Sequence, residues 1–88
     1  MQRSAYAVKK QSKALTEMKI GQSGTVAAIS GGSGMRARLE ALGVRIGSKI
    51  TKKSALIGLG PVIAVVGNME IAIGYGMASR IFVEVDEQ

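Results

Sequence analysis

The chain has 88 residues, a net charge of +6, no histidine and no cysteine. That length holds one domain, and the missing residue types exclude disulfides, thiolate metal sites and catalysis built on imidazole or thiol. The longest nearly apolar run, residues 55–67, is broken by three glycines and Pro61, and it falls well short of the roughly 20 residues a membrane helix needs.

Arg3, Lys9, Lys10 and Lys13 fall in the first thirteen residues with no acid among them. No hydrophobic signal-peptide segment follows these charges, so the chain reads as soluble and cytoplasmic. Residues 1–13 are expected to form a basic, poorly ordered extension, with residues 14–88 as the folded domain. Charges on such a tail hold an acidic partner only weakly and in a salt-sensitive way.

Leu15, Met18 and Ile20 before Gly21 predict a single turn leading into the first strand. That strand is expected over Gly24–Ser30, with Val26 and Ala28 on one face. Gly31-Gly32 ends it. A helix follows over Gly34–Leu42, with Ser33 as N-cap and Gly43 as the C′ residue. Met35, Leu39 and Leu42 fall on one helical face. A helix this short does not form alone in water, so the stripe must pack on the sheet.

The second strand is expected over Gly47–Lys53, with Lys49, Thr51 and Lys53 on one face. Lys52 then shares the side of Ile50 and must snorkel to water or sit at the strand end. Residues Pro61–Ile73 form a hairpin around Gly67-Asn68, a two-residue turn with glycine first. The implied register pairs Val66 with Met69, Ala64 with Ile71 and Val62 with Ile73, all facing inward. Ile63 and Val65 then lie outward, opposite Ala72 and Glu70. A short connection, Gly74–Ala78, leads to a last strand, Arg80–Val85, with Ile81, Val83 and Val85 inward and Phe82 outward. Five short strands with one inserted helix favour an all-β fold, a small SH3-like barrel in which closure removes vulnerable edges.

The ordered set Gly24-x-Val26, Gly31-Gly32, Arg38-Leu39, Leu42-Gly43, Gly47-x-x-Ile50, Gly60-Pro61-Val62, Ile71-Ala72-Ile73 and Ile81-x-Val83 resembles the FeoA family of ferrous iron transport proteins. The resemblance runs from about Leu15 to Val85 and implies an SH3-like barrel with inserted helices. It also implies an accessory role beside a FeoB-type membrane permease for Fe²⁺, through that partner's cytosolic GTP-binding domain. Location would then be cytoplasmic, peripheral to the inner membrane through the partner. The same domain type occurs at the C-terminus of metal-dependent repressors, behind a helix-turn-helix; this chain is expected to resemble the free-standing form. The resemblance assigns nothing to residues 1–13. Ile63, Val65 and Phe82 depart from it by placing apolar bulk where polar groups are common, which points to self-association or an unusual partner surface.

Chemistry narrows the choice further. Glu17, Glu40, Glu70 and Glu84 read as surface residues on different elements, so no general acid–base pair is expected and the chain is not read as an enzyme. No cofactor or metal site is expected either. Fe²⁺ favours imidazole, carboxylate or thiolate, whereas Met18, Met35, Met69 and Met77 offer thioethers. Gly31-Gly32-Ser33-Gly34 lacks the Gly-Lys-Ser/Thr ending of a phosphate loop and reads as a turn and cap. An alternative function is nucleic-acid binding by a small basic barrel, using Lys49, Lys53 and the tail. Tyr6, Tyr75 and Phe82 form no stacking platform on one face, so nucleic acid is the weaker partner.

A protein-interaction module remains. The candidate contacts are Arg36, Arg38 and Arg45 on and beside the helix, with Leu56, Ile57 and Leu59 in the Ser54–Gly60 loop. That loop either presents these side chains or folds back onto the barrel. Arg36 and Glu40 stand at i, i+4 and could pair instead. An interface built on the loop leucines should resist salt, whereas phosphate binding should not.

Overall fold

The computed structural model describes residues 12–56 and 58–86. The expected disorder of residues 1–11 and the orientation of Ile57 lie outside the described residues. Six antiparallel strands form the sheet: β1 (Ser12–Ala14), β2 (Ser23–Ile29), β3 (Lys49–Ala55), β4 (Val62–Val66), β5 (Met69–Ile73) and β6 (Ile81–Val85). Their order across the sheet is β1-β6-β2-β3-β4-β5. A 3-10 turn (Leu15–Glu17), helix α1 (Ser33–Ala41) and a one-turn helix α2 (Tyr75–Ala78) fill the connections. The all-β, SH3-like architecture is as expected, with one strand more.

That extra strand, β1, contains Ser12 and Lys13, which were assigned above to the extension. Its residues pair with β6 as Ser12 to Glu84, Lys13 to Val83 and Ala14 to Phe82. Ala14 is buried, so the strand tethers the chain to the core two residues earlier than expected.

One core runs under the bent sheet. Leu15, Leu39, Val44, Ala64, Ile73, Ala78, Ile81 and Val83 have no exposed surface. The β4–β5 hairpin has the expected register throughout, from Val66–Met69 to Val62–Ile73. Gly67 adopts φ +62°, as the first position of such a turn requires. Met69 departs from the inward set: it is 60% exposed, because the hairpin tip projects beyond the core.

Two bulges break the simple alternation. Val26 pairs with Val83 but Ala28 with Phe82, so Ala27 is an extra residue on β2. Side chains beyond a bulge change face. Ala28 is therefore exposed, not on the side of Val26, and Ile29 packs against the core instead. A second shift separates Lys52 from Ser54 on β3.

Helix α1 buries its expected stripe, with Leu39 fully inside and Met35 and Leu42 packed against it. Its start differs by one residue. Gly32 is the N-cap and no side chain caps the first turn, so Ser33 opens the helix without serving as its cap. Its end is a Schellman motif: Gly43 N–H donates to Glu40 O at 2.9 Å and Val44 N–H to Leu39 O at 2.9 Å. Gly43 holds φ +89° there. Gly43→Ala is expected to cost roughly 1 kcal/mol, read as a drop of about 4–8 °C in Tm.

The strand expected from Gly47 begins later. Gly47 has φ +98°, outside the strand region, and belongs to a turn in which Ser48 N–H donates to Arg45 O at 2.9 Å. Lys52 also departs from expectation. It neither snorkels nor ends the strand; it is 5% exposed, and its ammonium donates to Thr16 O at 2.9 Å and Met18 O at 2.8 Å. Those carbonyls end the 3-10 turn, where a cation is favoured. Burial pushes the Lys52 amine below its ordinary pKa.

Candidate functional site

The outward side of α1 carries Ser33, Arg36, Ala37 and Glu40, three and four residues apart and away from the buried Leu39. The Schellman stop turns the chain sharply and buries Val44, which aims the Arg45–Ser48 turn back along the helix. Arg45 N–H donates to Ser48 Oγ at 3.1 Å and Ser48 Oγ–H to Gly43 O at 3.0 Å, which fixes that turn. The result is a cleft of about 270 Å³. Ile29, Ala37 and Ile46 supply its apolar lining, and Arg36, Glu40 and Arg45 its charged lining.

Arg36 and Arg45 therefore line one cleft. Arg38 does not join them: it is exposed on the other flank of α1. The i, i+4 pair of Arg36 with Glu40 does not form. Among the described residues, the ion pairs are Lys49–Asp86 at 2.7 Å and Lys53–Glu70.

The loop contacts lie elsewhere. Leu56 is 60% and Leu59 75% exposed, so at these positions the loop presents its side chains and does not fold back. Leu56 N–H donates to Pro61 O at 3.2 Å and closes the loop around Gly58 at φ +77°. β3 runs from Lys49, beside the cleft, to Ala55, beside the loop. At about 3.4 Å per residue, the two surfaces sit roughly 20 Å apart. Gly21 N–H bonds to Lys52 O at 2.7 Å, and Ile20 beside it is 60% exposed. Sequence reasoning missed Ile20 and Ile46 as surface groups. No local signal separates them: Leu42 and Val66 also stand directly before positive-φ glycines, yet they pack against the core.

The candidate self-association residues are divided too. Ile63 and Val65 lie on β4, while Phe82 lies on β6 with β2 and β3 between. Phe82 is flanked by Ala14 and Ala28. The Lys53–Glu70 pair joins β3 to β5 across β4, where Val65 is the cross-strand partner of Glu70. These two ion pairs also engage Lys49 and Lys53, the basic residues a nucleic-acid reading would use. Among the described residues no three of His, Cys, Asp and Glu cluster as metal ligands, and no helix is long and apolar enough to cross a membrane.

A family model of the FeoA domain matches residues 13–85. No curated protein matches the chain. Among solved structures, the chain is similar to an iron uptake regulatory protein (FeoA), with 34% identity over 86% of this chain and 99% of that one, and a TM-score of 0.78. A FeoA protein from Chlorobium tepidum shares 25% identity over 84% of this chain and 73% of that one, with a TM-score of 0.75. A manganese-dependent transcriptional repressor shares the fold: its TM-score is 0.81 at 20% identity, over 92% of this chain and 45% of that one.

Proposed function

The chain belongs to the FeoA family, an assignment that supports a role in ferrous iron transport, and we propose that it fills this role as a non-catalytic accessory protein docking on the cytosolic GTP-binding domain of a FeoB-type permease. The observation that carries the docking is the loop end of the barrel. Leu56 and Leu59 expose 60% and 75% of their surface there. Aliphatic side chains gathered at one end of a small domain mark an interaction site better than the same residues scattered singly.

Calorimetric titration with the permease's cytosolic domain, at low and high salt, tests the reading. Binding should be saturable and should survive high salt, because burial of leucines is not screened. Leu59→Asp should weaken it at least tenfold while leaving Tm nearly unchanged, since Leu59 is 75% exposed and contributes little to the core. Unchanged affinity in Leu56→Asp and Leu59→Asp would remove this surface from the proposal.

A further inference from the structure

We infer that the cleft between α1 and the Arg45–Ser48 turn takes an acidic–aliphatic protein segment, with one carboxylate between Arg36 and Arg45 and a neighbouring aliphatic side chain against Ile29 and Ile46. This rests on the reading that the chain works by docking on a protein, and adds a second contact and its chemistry.

Size comes first. About 270 Å³ is at the small end of ligand sites, which run to roughly 1,000 Å³. It suits one or two side chains of a larger partner. Charge comes second. Two guanidiniums and one carboxylate line the cleft, and among the described residues neither guanidinium is held in an ion pair. The planar fork of arginine matches a carboxylate, and nothing need be broken to receive one. Glu40 sets the sign and number of the ligand's charge. One carboxylate lining the same cleft as two arginines leaves a single net positive charge to be met, which favours one negative group and opposes a doubly charged phosphate or a nucleic-acid backbone. Its oxygens are also suited to accept an N–H from the docked segment. Apolar surface comes third. Ile46 is 55% exposed beside these charges, an arrangement that rewards a ligand with an aliphatic group next to its carboxylate.

The test is an amide-resolved NMR titration of the full chain with the blocked peptide acetyl-Leu-Glu-Leu-amide. Saturable shifts are expected at Ala37, Arg45 and Ile46, with affinity falling as salt rises. Affinity should fall at least tenfold in Arg36→Gln/Arg45→Gln, and equally when glutamine replaces the peptide's glutamate. Both arginines are exposed, so the variant should keep its fold. Shifts absent, centred elsewhere, or unaffected by the double substitution would overturn the inference. Inorganic phosphate binding the same amides as tightly as the peptide would overturn it as well, by showing a plain anion site. Repeating the permease titration with this variant separates the two readings. Peptide binding without permease binding would defeat the permease reading and support the cleft, whereas permease binding that ignores the double substitution would count against the cleft and leave the loop surface standing.

Discussion

Gly24→Ala is expected to destabilise the barrel by about 3 kcal/mol, at the upper end of overpacking costs, with a fall in Tm of roughly 12–24 °C. Gly24 is buried where β2 passes between β6 and β3, opposite Val85 on one side and Ile50 on the other. A Cβ added there would run into the Glu84 carbonyl oxygen and approach Val83 Cγ1 to 2.6 Å. The obstacle is mostly backbone, so rotamer changes cannot relieve it. Either β6 moves away and its ladder with β2 loosens, or Val83 leaves a core position where it has no exposed surface. A control isolates the effect. Gly34 lies inside α1 and its added Cβ would meet nothing within 4 Å. Gly34→Ala should therefore stabilise the chain by up to about 1 kcal/mol through helix propensity. Thermal unfolding of both variants by circular dichroism reads the two signs together. Equal Tm values for Gly24→Ala and the parent would mean that β2 and β6 are not packed as closely as described.

The need for glycine at position 24 was not legible in the chain. The Gly24-x-Val26 spacing belongs to the family resemblance, but a glycine dictated by a strand sixty residues away carries no local mark. The hairpin was legible because its cause is local. A glycine-led two-residue turn sets one register, and every pair followed it. The helix was legible for the same reason, through Met35, Leu39, Leu42 and the Gly43 stop. Local reasoning failed where one residue changes the phase. Ala27 is an unremarkable residue that becomes a bulge only because Val26 and Ala28 pair with adjacent residues of β6. β1 was missed because Ser-Lys-Ala has no pattern; its pairing with β6 makes it a strand.

The candidate site shows the same division. Arg36 and Arg45 could be named from the sequence, since charged residues flanking a short helix are exposed by elimination. Their meeting in one cleft needed the Schellman turn, and the cleft's apolar lining needed Ile29 displaced by the bulge. The loop leucines could be named too, but not their distance from the arginines. That separation follows from the length of β3 and makes the two surfaces independent contacts on any partner.

Lys52→Met is expected to cost roughly 2 kcal/mol at neutral pH and to remove an alkaline rise in stability expected of the parent. The ammonium satisfies Thr16 O and Met18 O, and the second of these bonds is fully buried. Methionine fills much of the volume but donates nothing, so both acceptors lose a charge-assisted partner. Relief of the lysine's own desolvation offsets part of that loss, which keeps the net effect below the roughly 3–5 kcal/mol of breaking a buried ion pair. The pH dependence follows from the same burial, which lowers the amine's pKa from its ordinary 10.5. The folded chain thus releases its proton before the unfolded chain does. Stability linked to Lys52 is fully present above pH 10.5 and is lost as pH falls through the lowered folded value. The bonds survive this titration because a neutral amine keeps two N–H groups for its two carbonyls. Denaturant unfolding of parent and Lys52→Met across the alkaline range isolates the group, since other titrations cancel in the difference. That difference should widen with pH on approach to 10.5. A constant difference would mean that the amine titrates as in water, and no difference at neutral pH would mean that the tie to the 3-10 turn adds nothing to the fold.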